Sequence, residues 1–163
     1  MPLAGPSQPR NFGLAWFLLC LAFCTHVLDE ATTGFLAVYN PTVLAIRNTF
    51  SWFPMPTFEF REWLVGLIIA NAILLALTPL AFRNLRPLRP FAYFFAAVML
   101  LNGLGHTLFT VLGHTVASVH FSRPAPGFYS SPLLLAASVY LLVRLRATKS
   151  EGAQQAAPQF GKV

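Results

Sequence analysis

Long apolar runs alternate with short polar or proline-rich stretches along the whole chain, and this pattern predicts four helices of membrane length. The runs cover residues 11–30, 57–82, 91–114 and 132–146. A helix rises ~1.5 Å per residue, so it needs ~20 apolar residues to cross a bilayer core. The first three runs meet that length, and the fourth is shorter. The pattern therefore predicts an all-α membrane protein with four transmembrane helices in one bundle.

The segment between the first two spans has a different pattern. Residues 34–50 are aromatic and aliphatic, but Asn40 and Pro41 interrupt them. Such a segment predicts a broken or interfacial helix that lies over the bundle. Pro54 and Pro56 then predict a turn before the second span, because proline lacks a backbone donor and disfavours helix in the residue before it.

The two ends of the chain differ in composition from the region between them. Residues 1–10 are short and proline-rich, which predicts a loose cytoplasmic tail, and residues 148–163 are small and polar, which predicts a disordered one. Residues 11–147 form the predicted membrane domain. The first apolar run is too long for a signal peptide and lacks a small-residue cleavage site, so we expect it to be a transmembrane helix.

Composition and charge agree with a membrane location. Of the 163 residues, 56% are hydrophobic and 10% are charged, which is typical of membrane proteins. The net charge of +6 lies largely at the ends of apolar runs, so it does not indicate nucleic-acid binding. The positive-inside rule predicts that both termini are cytoplasmic. We expect a multi-pass protein of the bacterial inner (plasma) membrane. The inner set is then Arg10, Arg83, Arg86, Arg89, Arg144, Arg146, Lys149 and Lys162, and the outer set is Arg47, Arg61 and Arg123.

Ionisable residues inside the first two spans point to a functional site. His26, Asp29 and Glu30 stand near the outer end of the first span. Charged groups are costly at membrane depth, so their default position is inside the bundle. Helical spacing places these three side chains on or near one face. Glu59 and Glu62 begin the second span at the same predicted side of the membrane.

The third span brings further polar residues to this depth. Asn102 falls near the predicted midplane, and His106 lies about one turn closer to the outer side. A histidine or an amide inside a span needs a partner or a role. We therefore expect an outward-facing polar pocket formed by the first three spans. Its predicted catalytic residues are His26, Glu30, Glu62, Asn102 and His106.

Taken in order, these short motifs resemble those of the HXXEE-motif family of small polytopic membrane proteins. The resemblance covers roughly residues 12–142 and implies candidate site positions, but no reaction, because the family lacks an established activity. Asp29 stands where the family signature has its first glutamate. The matching motifs are His26-Val27-Leu28-Asp29-Glu30, Arg61-Glu62-Trp63, Asn102 with His106, and Pro126-Gly127.

The residue types of the predicted pocket suit two kinds of chemistry. Imidazole nitrogens and carboxylate oxygens are donors that zinc, iron or manganese accept. The same groups also serve as a metal-free acid/base pair, since a buried carboxylate exchanges protons with a neighbouring histidine. The predicted metal ligands are His26, Glu30, Glu62 and His106, with Asp29, Glu59 and His114 as further candidates.

Three classes of function follow from a polar pocket at this depth. The first is a membrane-embedded enzyme that acts on a lipid or another hydrophobic small molecule, which enters from the bilayer. The second is a non-catalytic ion- or proton-coupled carrier or binding protein, which in so small a chain requires a homodimer. The third is a structural membrane protein in which the polar cluster only stabilises the bundle.

Overall fold

The fold was analysed in a computed structural model that describes residues 8–156, with side chains for residues 11–147. It is predominantly helical, which confirms the predicted helical class. The predicted tails lie partly outside this range, at residues 1–7 and 157–163. The elements are α1 (Gln8–Thr33), α2 (Phe35–Thr49), α3 (Phe60–Ala76), α4 (Thr78–Phe82), α5 (Leu88–Leu112), β1 (His114–Val116), β2 (Val119–His120) and α6 (Ser131–Ala156).

Helix α1 lies at the centre of the fold. It packs against α3, α4 and α6, and α5 packs against α6. Phe12, Trp16 and Leu19 form its buried stripe, because side chains three or four residues apart share one helix face. The indole of Trp16 donates a hydrogen bond to the backbone carbonyl of Leu74, with 3.1 Å between nitrogen and oxygen. The buried stripe of α1 therefore lies in the core of the fold.

Within the part of the chain that the structure describes, three helical stretches are long and apolar enough to span a membrane: Asn11–Thr33, Phe60–Phe82 and Leu88–Leu112. The second of these includes both α3 and α4. The predicted fourth span corresponds to α6, whose described side chains end at Ala147 and which is not among the three. Its backbone is helical to Ala156, beyond the predicted end at residue 146, in a stretch that includes good helix formers such as Ala, Gln and Glu.

The predicted second span is interrupted near its C-terminal end. Helix α3 ends at Ala76, and α4 begins at Thr78. Pro79 lies at the start of α4, where the donor that proline lacks is not needed. Gly13 of α1 approaches this turn closely, since a Cβ atom built on it would lie 2.4 Å from Cδ1 of Phe82 and 2.7 Å from its Cα. Contact between α1 and α4 therefore requires glycine at position 13.

The segment between the first two spans forms the helix α2. It follows Gly34, which has φ 79°, and it contains Pro41 without ending there. The side chain of Asn40 pairs with the backbone of Phe58, donating to its carbonyl at 2.9 Å and accepting from its N–H at 3.1 Å. The residue that interrupts the apolar pattern therefore ties α2 to the segment that leads into α3.

The region after α5 departs from an all-helical prediction. Helix α5 ends at Leu112; the next residue, Gly113, has φ 78°, and β1 then pairs with β2 in a short antiparallel hairpin. The predicted third span continued to residue 114, but His114 lies in β1. Strands of two or three residues are too short to show a clear period in the sequence.

The close approach at Gly13 gives a test of the packing between α1 and α4. Gly13→Ala is expected to lower the midpoint of thermal unfolding in detergent, because overpacking costs about 1–3 kcal/mol. Gly66→Ala is the matched control, since a Cβ atom there meets nothing within 4 Å and alanine favours helix. If both substitutions shift the midpoint alike, the described packing at Gly13 is wrong.

Candidate functional site

Three buried side chains from two helices meet in the interior. His26 and Glu30 belong to α1, and His106 belongs to α5. Oε1 of Glu30 lies 3.4 Å from Nε2 of His26 and 3.1 Å from Nε2 of His106. One ligating atom from each residue lies within 4.8 Å of the other two. We call these three residues the buried cluster; they present two nitrogens and one oxygen around a common point.

The helices place these groups at one depth. His26 and Glu30 are one turn apart on α1 and therefore share a face. Aromatic contacts hold α5 beside α1: Phe95 meets Trp16 in a tilted arrangement and Phe23 edge to face, at centroid distances of 5.6 and 5.9 Å. The rings of His26 and His106 then meet edge to face, with centroids 4.9 Å apart.

Asp29 and Ser130 orient the imidazole of His26. Ser130 donates both its backbone N–H and its hydroxyl to Oδ2 of Asp29, at 2.7 and 2.8 Å. Nδ1 of His26 lies 2.8 Å from the same hydroxyl oxygen. The hydroxyl has one hydrogen, and the carboxylate is its strongest acceptor, so Nδ1 of His26 must be the donor. This tautomer leaves a lone pair on Nε2, which faces the buried cluster.

Asn102 contacts the same nitrogen of His26. Its Nδ2 lies 3.2 Å from Nε2, in agreement with an amide hydrogen donated to a lone pair. A cation bound to this nitrogen would have to displace that hydrogen bond. Asn102 is half-buried and lies on α5 one turn before His106. It therefore stands between the buried cluster and the space beside it.

The loop before α6 closes the site from the other side. Gly127 has φ 81°, and its N–H donates to Oγ1 of Thr33 at 3.1 Å. A Cβ atom at this position would lie 2.8 Å from Cε1 of His106 and 3.1 Å from Cγ of Glu30. Both the backbone angle and the close contacts require glycine. The backbone of this loop is thus a wall of the site.

An apolar cavity of about 270 Å³ adjoins the buried cluster. Helix α2, helix α5, the hairpin and the following loop enclose it, and His106 and Asn102 form its polar end. Tyr39 lines the cavity and donates its hydroxyl to the carbonyl of Pro56 at 3.0 Å. Burial raises the pKa of the Tyr39 phenol, so the group stays a neutral donor. The aromatic wall consists of Phe35, Tyr39, Phe109 and Phe121.

The structure brings together four of the five predicted catalytic residues: His26, Glu30, Asn102 and His106. It does not bring Glu62 to them. Glu62 is exposed in the first turn of α3, where an acidic side chain complements the helix dipole. The described structure therefore does not support Glu62 as a catalytic residue or a metal ligand of this site.

The three further metal candidates also lie outside the buried cluster. Glu59 is the exposed N-cap residue of α3. His114 is in β1, where its ring meets that of His120 at a centroid distance of 5.5 Å. Asp29 contacts Ser130 and so acts on His26 indirectly. Ser130 was not predicted, because nothing in a loop sequence shows which distant side chain a serine contacts.

Comparisons with known proteins return no match. No protein-family model matches the chain, and no curated protein and no solved structure is significantly similar to it. The function is therefore argued from the geometry of the buried cluster and of the cavity beside it.

The contacts of Gly127 can be tested separately from its backbone angle. Gly127→Ala is expected to destabilise the protein by about 1–3 kcal/mol more than Gly34→Ala, because only at position 127 does the new Cβ press on His106 and Glu30. Gly34 has nearly the same positive φ with nothing within 4 Å, so it carries the backbone strain alone. Thermal unfolding in detergent measures the stability of both variants. Equal losses would show that the loop does not press on the buried cluster.

Proposed function

We propose that this protein is an integral membrane enzyme that uses a divalent transition metal to act on a lipid or another hydrophobic small molecule. The metal ligands are His26, Glu30 and His106. The observation that carries this proposal is the convergence of two imidazole Nε2 atoms on one carboxylate oxygen in a buried site. Two histidines and one carboxylate, with a fourth position open, form a common catalytic ligand set for zinc, and iron and manganese accept the same donors.

The distances within the buried cluster support a metal site. A tetrahedral metal with ligand bonds of 2.0–2.1 Å has ligand atoms about 3.3 Å apart. The two separations measured from Oε1 of Glu30, 3.1 and 3.4 Å, lie on either side of that value. The Asp29 and Ser130 pair supports it further, because metal-binding histidines usually donate their second nitrogen to an oxygen acceptor that fixes the ring.

The proposed membrane arrangement has four spans, with α6 as the fourth and both termini cytoplasmic. The excess of basic residues on the predicted inner side supports it, as does the packing of α6 against α1 and α5. The buried cluster then lies in the outer half of a bacterial inner membrane. The motif order also supports a relationship with the HXXEE-motif family, with Asp29 and Glu30 in different roles.

The residues of the chain prepare the site for chemistry. A divalent metal supplies Lewis acidity, which polarises an oxygen of the substrate. Asp29 and Ser130 hold His26 in one tautomer, and the backbone at Gly127 packs against His106 and Glu30. The buried cluster is shielded from bulk water, and this strengthens the electrostatic interactions among its three residues. A substrate in the cavity would reach the buried cluster by passing Asn102.

A metal-free acid/base enzyme is the second candidate, and two contacts favour it. Nε2 of His106 lies at hydrogen-bonding distance from Glu30, and the amide of Asn102 occupies the lone pair of His26. In this arrangement Glu30 holds the proton of His106, which is the group nearest the cavity. General acid/base catalysis needs a donor of this kind within reach of the substrate.

Metal content distinguishes the two candidates. We expect protein purified in detergent to bind about one zinc, iron or manganese ion per chain, measured by elemental mass spectrometry and by calorimetric titration. His26→Ala and His106→Ala should abolish binding, because each removes one of three ligands. His120→Ala and Glu62→Gln are controls, since both side chains are exposed outside the buried cluster. A folded protein that binds no metal would contradict the metal-dependent proposal and leave acid/base chemistry.

The orienting role of Ser130 has its own test. Ser130→Ala should weaken metal binding by about 10–100-fold, the usual effect of removing a partner of a ligating histidine. Ser131→Ala is the matched control, since its hydroxyl bonds to the carbonyl of Gly127 and not to a ligand. Calorimetric titration gives both affinities. Equal affinities in the two variants would show that Ser130 does not orient His26.

A further inference from the structure

We propose that the cavity beside His106 binds a single-chain lipid whose uncharged, oxygen-bearing end, a hydroxyl or carbonyl group, contacts Asn102. This inference rests on the proposed function, since it names the class of substrate for the same site. It is argued from the size of the cavity, the charge of its lining and the free hydrogen-bonding capacity at its polar end.

The size of the cavity fits one chain. Its volume of about 270 Å³ lies just below the usual range of small-ligand pockets, about 300–1,000 Å³. A space of this size fits part of one hydrocarbon chain. The walls are aromatic and aliphatic side chains, and the cavity opens to the outside of the fold, where the rest of a chain extends. A lipid already dissolved in the bilayer suits such an opening.

The charge of the lining excludes a phosphate end. Among the described residues that line the cavity there is no lysine, arginine, aspartate or glutamate. The carboxylate of Glu30 lies behind His106. When no metal is bound, placing an anion at this end of the cavity without a cationic partner is costly, and the negative charge of Glu30 adds repulsion. The lining therefore suits an end that is polar but uncharged.

Asn102 supplies the hydrogen bonds for that end. Its amide offers two donor hydrogens and an acceptor oxygen, and in the described part of the chain only one donor is used, toward His26. Other polar groups of the cavity are already paired. The hydroxyls of Thr42 and Thr115 bond to each other at 2.5 Å, and Tyr39 bonds to Pro56. A lipid hydroxyl donates to Oδ1 of Asn102, whereas a carbonyl accepts its second amide hydrogen.

The position of Asn102 then brings the lipid end to the buried cluster. Asn102 contacts Nε2 of His26, which is one of the proposed ligand atoms. A metal bound to that nitrogen would displace the amide of Asn102, and both of its hydrogens would then be available to a lipid end. Loss of Asn102 is therefore expected to weaken lipid binding while leaving metal affinity equal or higher. This opposite effect separates a lipid contact from a general defect of the site.

The test is equilibrium binding of tritiated hexadecanol to the detergent-purified full chain, by scintillation proximity, with and without bound zinc. We expect Asn102→Leu to raise Kd about tenfold or more, because it removes the hydrogen-bonding partner at similar size. Asn48→Leu is its control, since Asn48 is exposed and does not line the cavity. Gly105→Leu should also prevent binding, because position 105 lines the cavity and a larger side chain fills it. Gly66→Leu is the exposed control for that change.

Competition between hexadecanol and other lipids tests whether the site prefers a lipid with an uncharged end. Hexadecanal should compete with hexadecanol, whereas palmitate and lysophosphatidic acid should compete at least tenfold more weakly in the absence of metal. Binding that depends on Asn102 and persists without metal supports this inference even if no metal site exists. Metal binding without hexadecanol binding overturns it and leaves the proposed metal site intact. Stronger competition by lysophosphatidic acid, or equal Kd for Asn102→Leu and Asn48→Leu, also overturns it.

Discussion

A carboxylate buried between apolar helices is costly unless polar partners surround it, and Glu30 is such a group. Its side chain is 5% exposed; Nε2 of His106 lies at hydrogen-bonding distance from it, 3.1 Å, and Nε2 of His26 lies 3.4 Å away. These contacts require α1 and α5 to lie at a fixed depth relative to each other. They also require the loop before α6 to pass so closely that glycine is needed at position 127. The polar interior thus determines how three parts of the chain meet.

The two adjacent acids of α1 show how one helix serves two purposes. Glu30 faces the interior and belongs to the buried cluster, whereas Asp29 faces the start of α6. There it accepts the N–H of Ser130, immediately before the first residue of the helix, and an acid at a helix N-terminus is stabilised by the helix dipole. Through the hydroxyl of Ser130 the same carboxylate orients His26. Anchoring of α6 and preparation of the site therefore share one set of hydrogen bonds.

Helix rise and the length of the apolar runs predict a similar depth for several polar groups, and four of these groups lie together in the structure. For this reason His26, Glu30, Asn102 and His106 were predicted together. Depth does not determine the direction in which a side chain points, and Glu62 therefore seemed to belong to the site although it is exposed on α3. Ser130 and the role of Gly127 could not be predicted, because their contacts join residues about a hundred positions apart. The hairpin after α5 was missed because its strands are too short to produce a periodic pattern.

The central claim is that two histidines and one glutamate share one metal, and X-ray absorption at the zinc edge of the loaded protein tests it most directly. A metal shared by these residues has a first shell of nitrogen and oxygen at about 2.0–2.1 Å, with the scattering of two imidazoles. A shell that contains sulfur at about 2.3 Å, as from Cys20 or Cys24, or that lacks imidazole scattering, would contradict it.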